Sequence, residues 1–183
     1  VVPFIKVTQD RVVLEIMRGC IRGCRFCQAG VIYRPTREHS VEYLKNYAKV
    51  MLDITGAEEI SLSSLSSSDY RGLKELLDFL IEYTSERGIN ISLPSLRIDT
   101  FSLDVMKKVQ DVKKSSLTFA AEAGTQRLRD VINKGITEEN IINGSREAFQ
   151  GGWNKVKLYF MLGLPTETDD DIRGIGELCE KVA

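Results

Sequence analysis

The chain has one histidine, His39, and four cysteines in 183 residues. It has no apolar run long enough to cross a bilayer. Its opening, "VVPFIKVTQD", has no basic region followed by an apolar stretch, so no secretory leader is read there. A secreted disulfide scaffold is shorter and richer in cysteine, which excludes that class and makes reducing conditions and a cytoplasmic location the expectation. The formal net charge of −1 gives no global field to attract nucleic acid. There is no low-complexity tract, no internal repeat, and no aromatic-and-basic pattern that certifies RNA binding. Whether nucleic acid is a partner stays open, and no membrane partner is expected.

Hydrophobic residues make up 43% and charged residues 28%, the balance of an ordinary globular domain. One domain is expected over residues 1–183. The chain begins without Met and stops at "CEKVA" inside a helical pattern, so it reads as a piece of a longer protein. Strands are expected at "VVLEIM" (12–17), "EEISLSSL" (58–65), "INISLPS", "SLTFAAEAG" and "KVKLYFMLGLP" (155–165). Helices are expected at "SVEYLKNYAKVMLDI" (40–54), opened by a Ser40 cap, and at "YRGLKELLDFLIEYTSERG" (70–88), where Leu73, Leu76, Leu77, Leu80 and Ile81 share a face. Further helices fall at "LDVMKKVQ", "TQRLRDVIN", "TEENIINGSREAFQ" and "TDDDIRGIGELCEKV". Alternating strands and helices with short connections define an α/β fold with a parallel sheet, open or barrel-like. "KLYFML" is nearly all apolar, as a strand buried on both faces should be. Polar or glycine-rich segments follow each strand, which places the ligand site at the carboxyl ends.

Three of the four cysteines, Cys20, Cys24 and Cys27, lie in "RGCIRGCRFCQAG". Clustered thiolates ligate metals. Zinc needs a fourth ligand, for which His39, the one histidine, is a candidate in a C-x3-C-x2-C-x11-H pattern. An all-cysteine electron-transfer cluster needs Cys179 to fold back, whereas its place after Leu178 suits a small core-facing side chain. A four-iron cluster on three thiolates leaves one iron open. Gly19 and Gly23 let the backbone bend closely around any of these groups. Arg22 and Arg25 either stabilise anionic thiolates or face water.

The spacing of Cys20, Cys24 and Cys27, with Phe26 before the last cysteine, resembles the signature of the radical S-adenosylmethionine superfamily. That resemblance implies a partial (β/α)6 barrel, of which this chain supplies about five units. It implies a [4Fe-4S] cluster on the three cysteines, with the open iron chelating the amino and carboxyl groups of S-adenosylmethionine. It further implies reductive cleavage of the cofactor to methionine and a 5′-deoxyadenosyl radical, fed by a donor such as flavodoxin or ferredoxin, with an unknown substrate. "EIMRGCIRGCRFCQAGVIYRP" looks most like a poorly characterised branch that joins this core to an upstream cobalamin-binding-like region, so cobalamin held outside this chain is a further option.

By the same resemblance Phe26 lies near the adenine. Ser63 and Ser64, in "SLSSLSSSDY", stand where relatives hold the methionyl ammonium with a glycine-rich motif. Ser95 and Arg97 follow the third strand, where relatives contact the ribose or carboxylate. Glu122 and Lys134, in "AAEAGTQRLRDVINKGIT", match cofactor-binding places in the methylthiotransferase and coproporphyrinogen-oxidase-like branches. Gly163, Leu164 and Pro165 end the fifth strand near the adenine. Each has a plainer role open to it: Arg97 and Lys134 as surface charges, Glu122 as a cap with Thr125, Gly163 and Pro165 as a strand end. Trp153 is read as packing at the bottom of the barrel. A non-catalytic iron–sulfur module and a methylating or methylthiolating enzyme remain the alternatives.

Overall fold

The computed structural model describes residues 5, 7–93, 97–100 and 117–183. Ser95 and the "LDVMKKVQ" helix lie outside them. Strand β1 (Val12–Glu15) pairs in parallel with β4 (Glu59–Ser63), and β4 with β5 (Asn90–Ser92). A second parallel pair joins β6 (Leu117–Glu122) to β7 (Val156–Phe160). Helices α2 (Val41–Thr55) and α3 (Leu73–Ser85) follow β1 and β4, while α4 (Gln126–Val131), α5 (Glu138–Gln150) and α6 (Asp169–Val182) accompany the second pair. This is the expected α/β architecture with parallel strands. No closed barrel forms among the described residues.

Local chemistry explains the boundaries. The Ser40 hydroxyl accepts the Tyr43 N–H, and left-handed Gly56 stops α2. Thr137 and Asn140 form a reciprocal capping box on α5. Leu76, Leu77 and Leu80 of α3 are fully or nearly fully buried against Leu14, Ile60 and Leu62. Trp153 joins Phe119, Leu117 and Ile141 in the core beneath β6 and β7, as expected of a packing residue.

Three expectations change. The first strand ends at Glu15, because Ile16 switches partners: its N–H donates to Ser63 O at 3.0 Å, while its C=O accepts from His39 N at 3.0 Å. The chain then makes a short antiparallel ladder, β2 (Met17–Arg18) with β3 (Arg37–Glu38), which brackets the cysteine loop and the single-turn helix α1 (Ala29–Ile32). Helix α3 begins at Leu73, because Ser66 bonds Asp69 at 2.7 Å and winds Ser67–Asp69 into a 3-10 turn first. Strand β7 is not buried on both faces: Lys157 and Tyr159 are exposed, their ammonium and ring stacked at 4.7 Å. Its ladder partner among the described residues is β6 alone.

Candidate functional site

The cysteine loop leaves β2 at Gly19, whose φ of 90° suits glycine. A Cβ there would lie 2.4 Å from the Tyr33 carbonyl oxygen, so the chain returning from α1 packs directly on it. Gly23, φ 71°, makes the second bend. The Cys27 N–H donates to Cys24 O at 3.0 Å, which closes a turn between these two ligand candidates. None of the three thiols is in a disulfide, and all are half-buried. Gly30 lies beside Cys27: a Cβ there would make an ordinary contact with its sulfur, at 3.8 Å.

The other zinc and cluster candidates have partners and settings of their own. His39 stacks on Tyr43 at 5.0 Å, at the start of α2. Cys179 is exposed on α6, not core-facing as expected, because Leu178 takes the buried side of that turn. A tetrahedral ion with bonds of about 2.3 Å brings its sulfurs within about 4 Å of one another. Among the described residues no three His, Cys, Asp or Glu side chains are gathered to hold an ion. The three thiols remain separate soft donors on a glycine-bent loop.

The loop adjoins two candidate binding regions. One is a cleft of about 390 Å³, lined by Glu15, Arg18, Gly19, Tyr33, Ser63 and Ser64 among others. Its size suits a small molecule, for which about 300–1,000 Å³ is usual. It joins the loop's first residues to the carboxyl end of β4, where Ser63 and Ser64 were expected. The Ser64 hydroxyl also bonds that of Ser67 at 3.0 Å.

At the other, Lys134 and Glu122 form an ion pair of 2.9 Å. Lys134 Nζ also stands 6.0 Å from the Phe26 ring centre, so the two expected cofactor residues and the loop's aromatic meet. Glu122 does not cap the following helix: Thr125 does, accepting the Leu128 N–H. Glu122 has a φ of 67°, at a register shift where β6 meets Phe160. Beneath this turn the fully buried Arg129 donates to Ala123 O at 2.8 Å, and its burial pushes the guanidinium below its ordinary pKa. Arg97 and Lys134 together line a small cavity of about 20 Å³.

Of the loop arginines, Arg22 is half-buried against carboxylates, whereas Arg25 stays exposed. Arg22 donates to Asp69 (Nε to Oδ2, 2.8 Å) and to Asp99 at 3.3 Å. The carboxylate that Arg97 meets is also the protein's own Asp99, at 2.9 and 3.2 Å, and its guanidinium reaches Lys134 O at 3.1 Å. Asp99 thus bridges the loop to the segment after β5. The Asp69 hydrogen bond holds the Arg22 guanidinium above its usual value. Burial alone would raise the Asp69 carboxyl, but hydrogen bonds from Arg22 and Ser66 outweigh it and hold it below the usual range. Arg25 donates to the carbonyls of Asp130 and Val131 at the end of α4.

Gly163, φ 80°, donates its N–H to the Glu167 carboxylate at 2.7 Å, and Pro165 is exposed. The Leu164 side chain is buried with Ala123, Leu128 and Ile132, which leaves its backbone for a ligand. The sequence reading missed Asp69, Asp99 and Asn133. Asn133 carried a visible signal, an Asn before Lys-Gly at a helix end, but the two aspartates carried none.

A family model described as the Radical SAM superfamily matches residues 14–179. The chain belongs to the radical SAM superfamily. It is 43% identical over 169 residues, 92% of this chain and 36% of the other, to a protein of Methanocaldococcus jannaschii named only as uncharacterized. A provisionally named methylthiotransferase from the same organism is 27% identical over 169 residues, covering 87% of this chain and 37% of the relative. An uncharacterized methyltransferase of Pyrococcus horikoshii is 26% identical over 172 residues, covering 93% and 37%. The chain therefore spans little more than a third of the length of these relatives. Its fold resembles methylornithine synthase (TM-score 0.58, 16% identity, 92% of this chain and 50% of that one). It also resembles a maturase of the [FeFe]-hydrogenase (TM-score 0.52, 10% identity, 94% and 39%). Superfamily membership implies an iron–sulfur cluster and S-adenosylmethionine. Among the described residues no helix is long and apolar enough to cross a membrane.

Proposed function

We propose that Cys20, Cys24 and Cys27 hold a [4Fe-4S] cluster with one iron left open, and that the protein of which this chain forms the core starts radical chemistry from S-adenosylmethionine. The observation that carries this reading is three unpaired, half-buried thiols on one loop, whose Gly19 lines the Ser63–Ser64 cleft and whose Phe26 meets Lys134 of the Glu122–Lys134 pair. When bound, the cluster supplies one electron that cleaves the cofactor's sulfonium. Ser63 and Ser64 offer hydroxyl and backbone acceptors to the cofactor's ammonium. Lys134, with Arg97, meets its carboxylate, and Glu122 its hydroxyls or ammonium. Phe26 and the backbone of Gly163, Leu164 and Pro165 flank the adenine, and Ser95 takes a ribose or carboxylate contact. A one-electron donor such as flavodoxin or ferredoxin feeds the site.

A second reading narrows the reaction to methyl or methylthio transfer, with cobalamin supplied by a region outside this chain. The printed names of two relatives, a methylthiotransferase and a methyltransferase, favour it.

The test is anaerobic reconstitution, with iron and sulfide counted and electron paramagnetic resonance recorded before and after S-adenosylmethionine. About four iron per chain and a cofactor-induced spectral change are expected. Serine at Cys20, Cys24 or Cys27 abolishes the cluster, whereas Cys179→Ser leaves it intact. Tightly bound zinc alone, or loss of the cluster on Cys179→Ser, would overturn the proposal in favour of a structural or electron-transfer module.

A further inference from the structure

The turn that closes α4 follows the cysteine loop residue by residue. The Arg25 N–H donates to Ile132 O at 2.9 Å, and Lys134 faces Phe26. Between them, Asn133 Nδ2 donates to Gly23 O at 2.9 Å, across 110 positions of sequence. Two of these contacts use a carbonyl that any helix end would present, or a lysine already committed to Glu122. Only the Asn133 amide is a side-chain donor on this turn aimed at the loop's own backbone.

Both partners are built for the contact. Asn133 has a φ of 52° and Gly23 a φ of 71°, the left-handed region that asparagine and glycine enter most readily. A Cβ on Gly23 would meet Asn133 Nδ2 at 3.7 Å and the Arg34 guanidinium at 3.6 Å, ordinary contact distances, so it is the positive φ that calls for glycine here. The carbonyl of Gly23 belongs to the peptide that enters Cys24. Holding that oxygen therefore fixes the direction in which Cys24 leaves the bend.

We propose that Asn133 is the positioning residue of the cysteine loop: its amide sets the placement of Cys24 before any metal arrives. The thiols are then preorganised, and ligation need not order the loop. The role rests on the reading of this loop as a ligand site, but its signature is visible in metal-free protein.

Two variants separate donor from backbone. Asn133→Gly keeps the left-handed turn and removes the donor. Asn133→Asp keeps shape and tolerance of the turn and removes the N–H. In reduced, metal-free protein, alkylation of each cysteine by iodoacetamide is followed by peptide mass spectrometry, with exposed Cys179 as internal reference. Both variants are expected to raise the Cys24 rate relative to Cys179 about fivefold, the factor carried by one neutral hydrogen bond. An unchanged ratio in Asn133→Gly overturns the proposal, as does an equal rise at Cys179, which would mark general loosening. Because no cluster is present, a wild-type chain that fails to bind iron leaves this result readable.

Discussion

Glu122 and Lys134 face each other at 2.9 Å with only 14% and 11% of their side chains exposed. A pair this sheltered is stabilising only while both members are present. Lys134→Met strands the carboxylate, and Glu122→Gln strands the ammonium. Each is expected to destabilise the chain by about 3 kcal/mol, the low end for a buried pair because some water still reaches it. The double variant should recover much of that loss, and urea denaturation of the four proteins gives the coupling directly. Losses that simply add would show that the two charges do not support each other.

Acid should act through Asp171. Its carboxyl accepts from Arg127, from Thr125, and from the Thr168 hydroxyl and N–H at 2.8 and 2.9 Å. The Arg127 guanidinium, then these hydroxyls, hold it far below the usual carboxylate range. A depressed folded value means the stabilisation is complete above the unfolded aspartate pKa, about 3.9, and fades as pH falls toward the folded value. The stability gap between wild type and Asp171→Asn should therefore be constant from pH 7 to pH 5 and narrow below about pH 4. Denaturation midpoints across that range test it; a gap that widens in acid would contradict the assignment.

Backbone contact between elements gives a sharper contrast. A Cβ on Gly124 would lie 2.3 Å from Ile175 N and 2.4 Å from Asp171 O, both backbone atoms of α6 that cannot swing aside. Gly176, on the same helix, has open space around it. Gly124→Ala is expected to destabilise by at least about 2 kcal/mol through overpacking. Gly176→Ala should stabilise by about 0.5–1 kcal/mol by restricting the unfolded chain and favouring helix. Thermal melts of the two variants should move in opposite directions.

Most of the fold was readable because its signals are local. Ser40 and Gly56 mark both ends of α2, and the leucine stripe of α3 names its buried face. The cysteine spacing likewise identified the loop. What escaped depends on partners distant in sequence. Ile16 looks like one more strand residue until His39 takes its carbonyl. "KLYFML" reads as a core strand because composition cannot show that only β6 flanks it among the described residues. Asp69 and Asp99 have ordinary neighbours in sequence, yet 47 and 77 positions separate them from the arginine they share. Arg22 and Arg97 were visible as cations, but the internal carboxylate that claims them was not.

That shared carboxylate leads to a prediction about salt. Asp99 accepts from Arg22 and from Arg97, while Asp69 accepts from Arg22 and Ser66. Charged hydrogen bonds are worth about 1.5–3 kcal/mol each, and sheltered ones are weakly screened. Asp69→Asn leaves Arg22 one partner; Asp99→Asn removes a partner from both arginines and unties the cysteine loop from the segment after β5. Asp99→Asn should therefore be the more damaging, and the two losses should not add, because Arg22 is common to both. Raising salt should change neither loss by more than about 0.5 kcal/mol, since the Asp69 and Asp99 side chains are only 6% and 14% exposed. The exposed Arg87–Asp53 pair, with side chains 44% and 55% accessible, is the internal contrast: its contribution should fade as salt rises. Urea titrations at low and high salt separate the two behaviours. A loss on Asp99→Asn that disappears in salt would mean that the bridge lies in water and does not hold the loop.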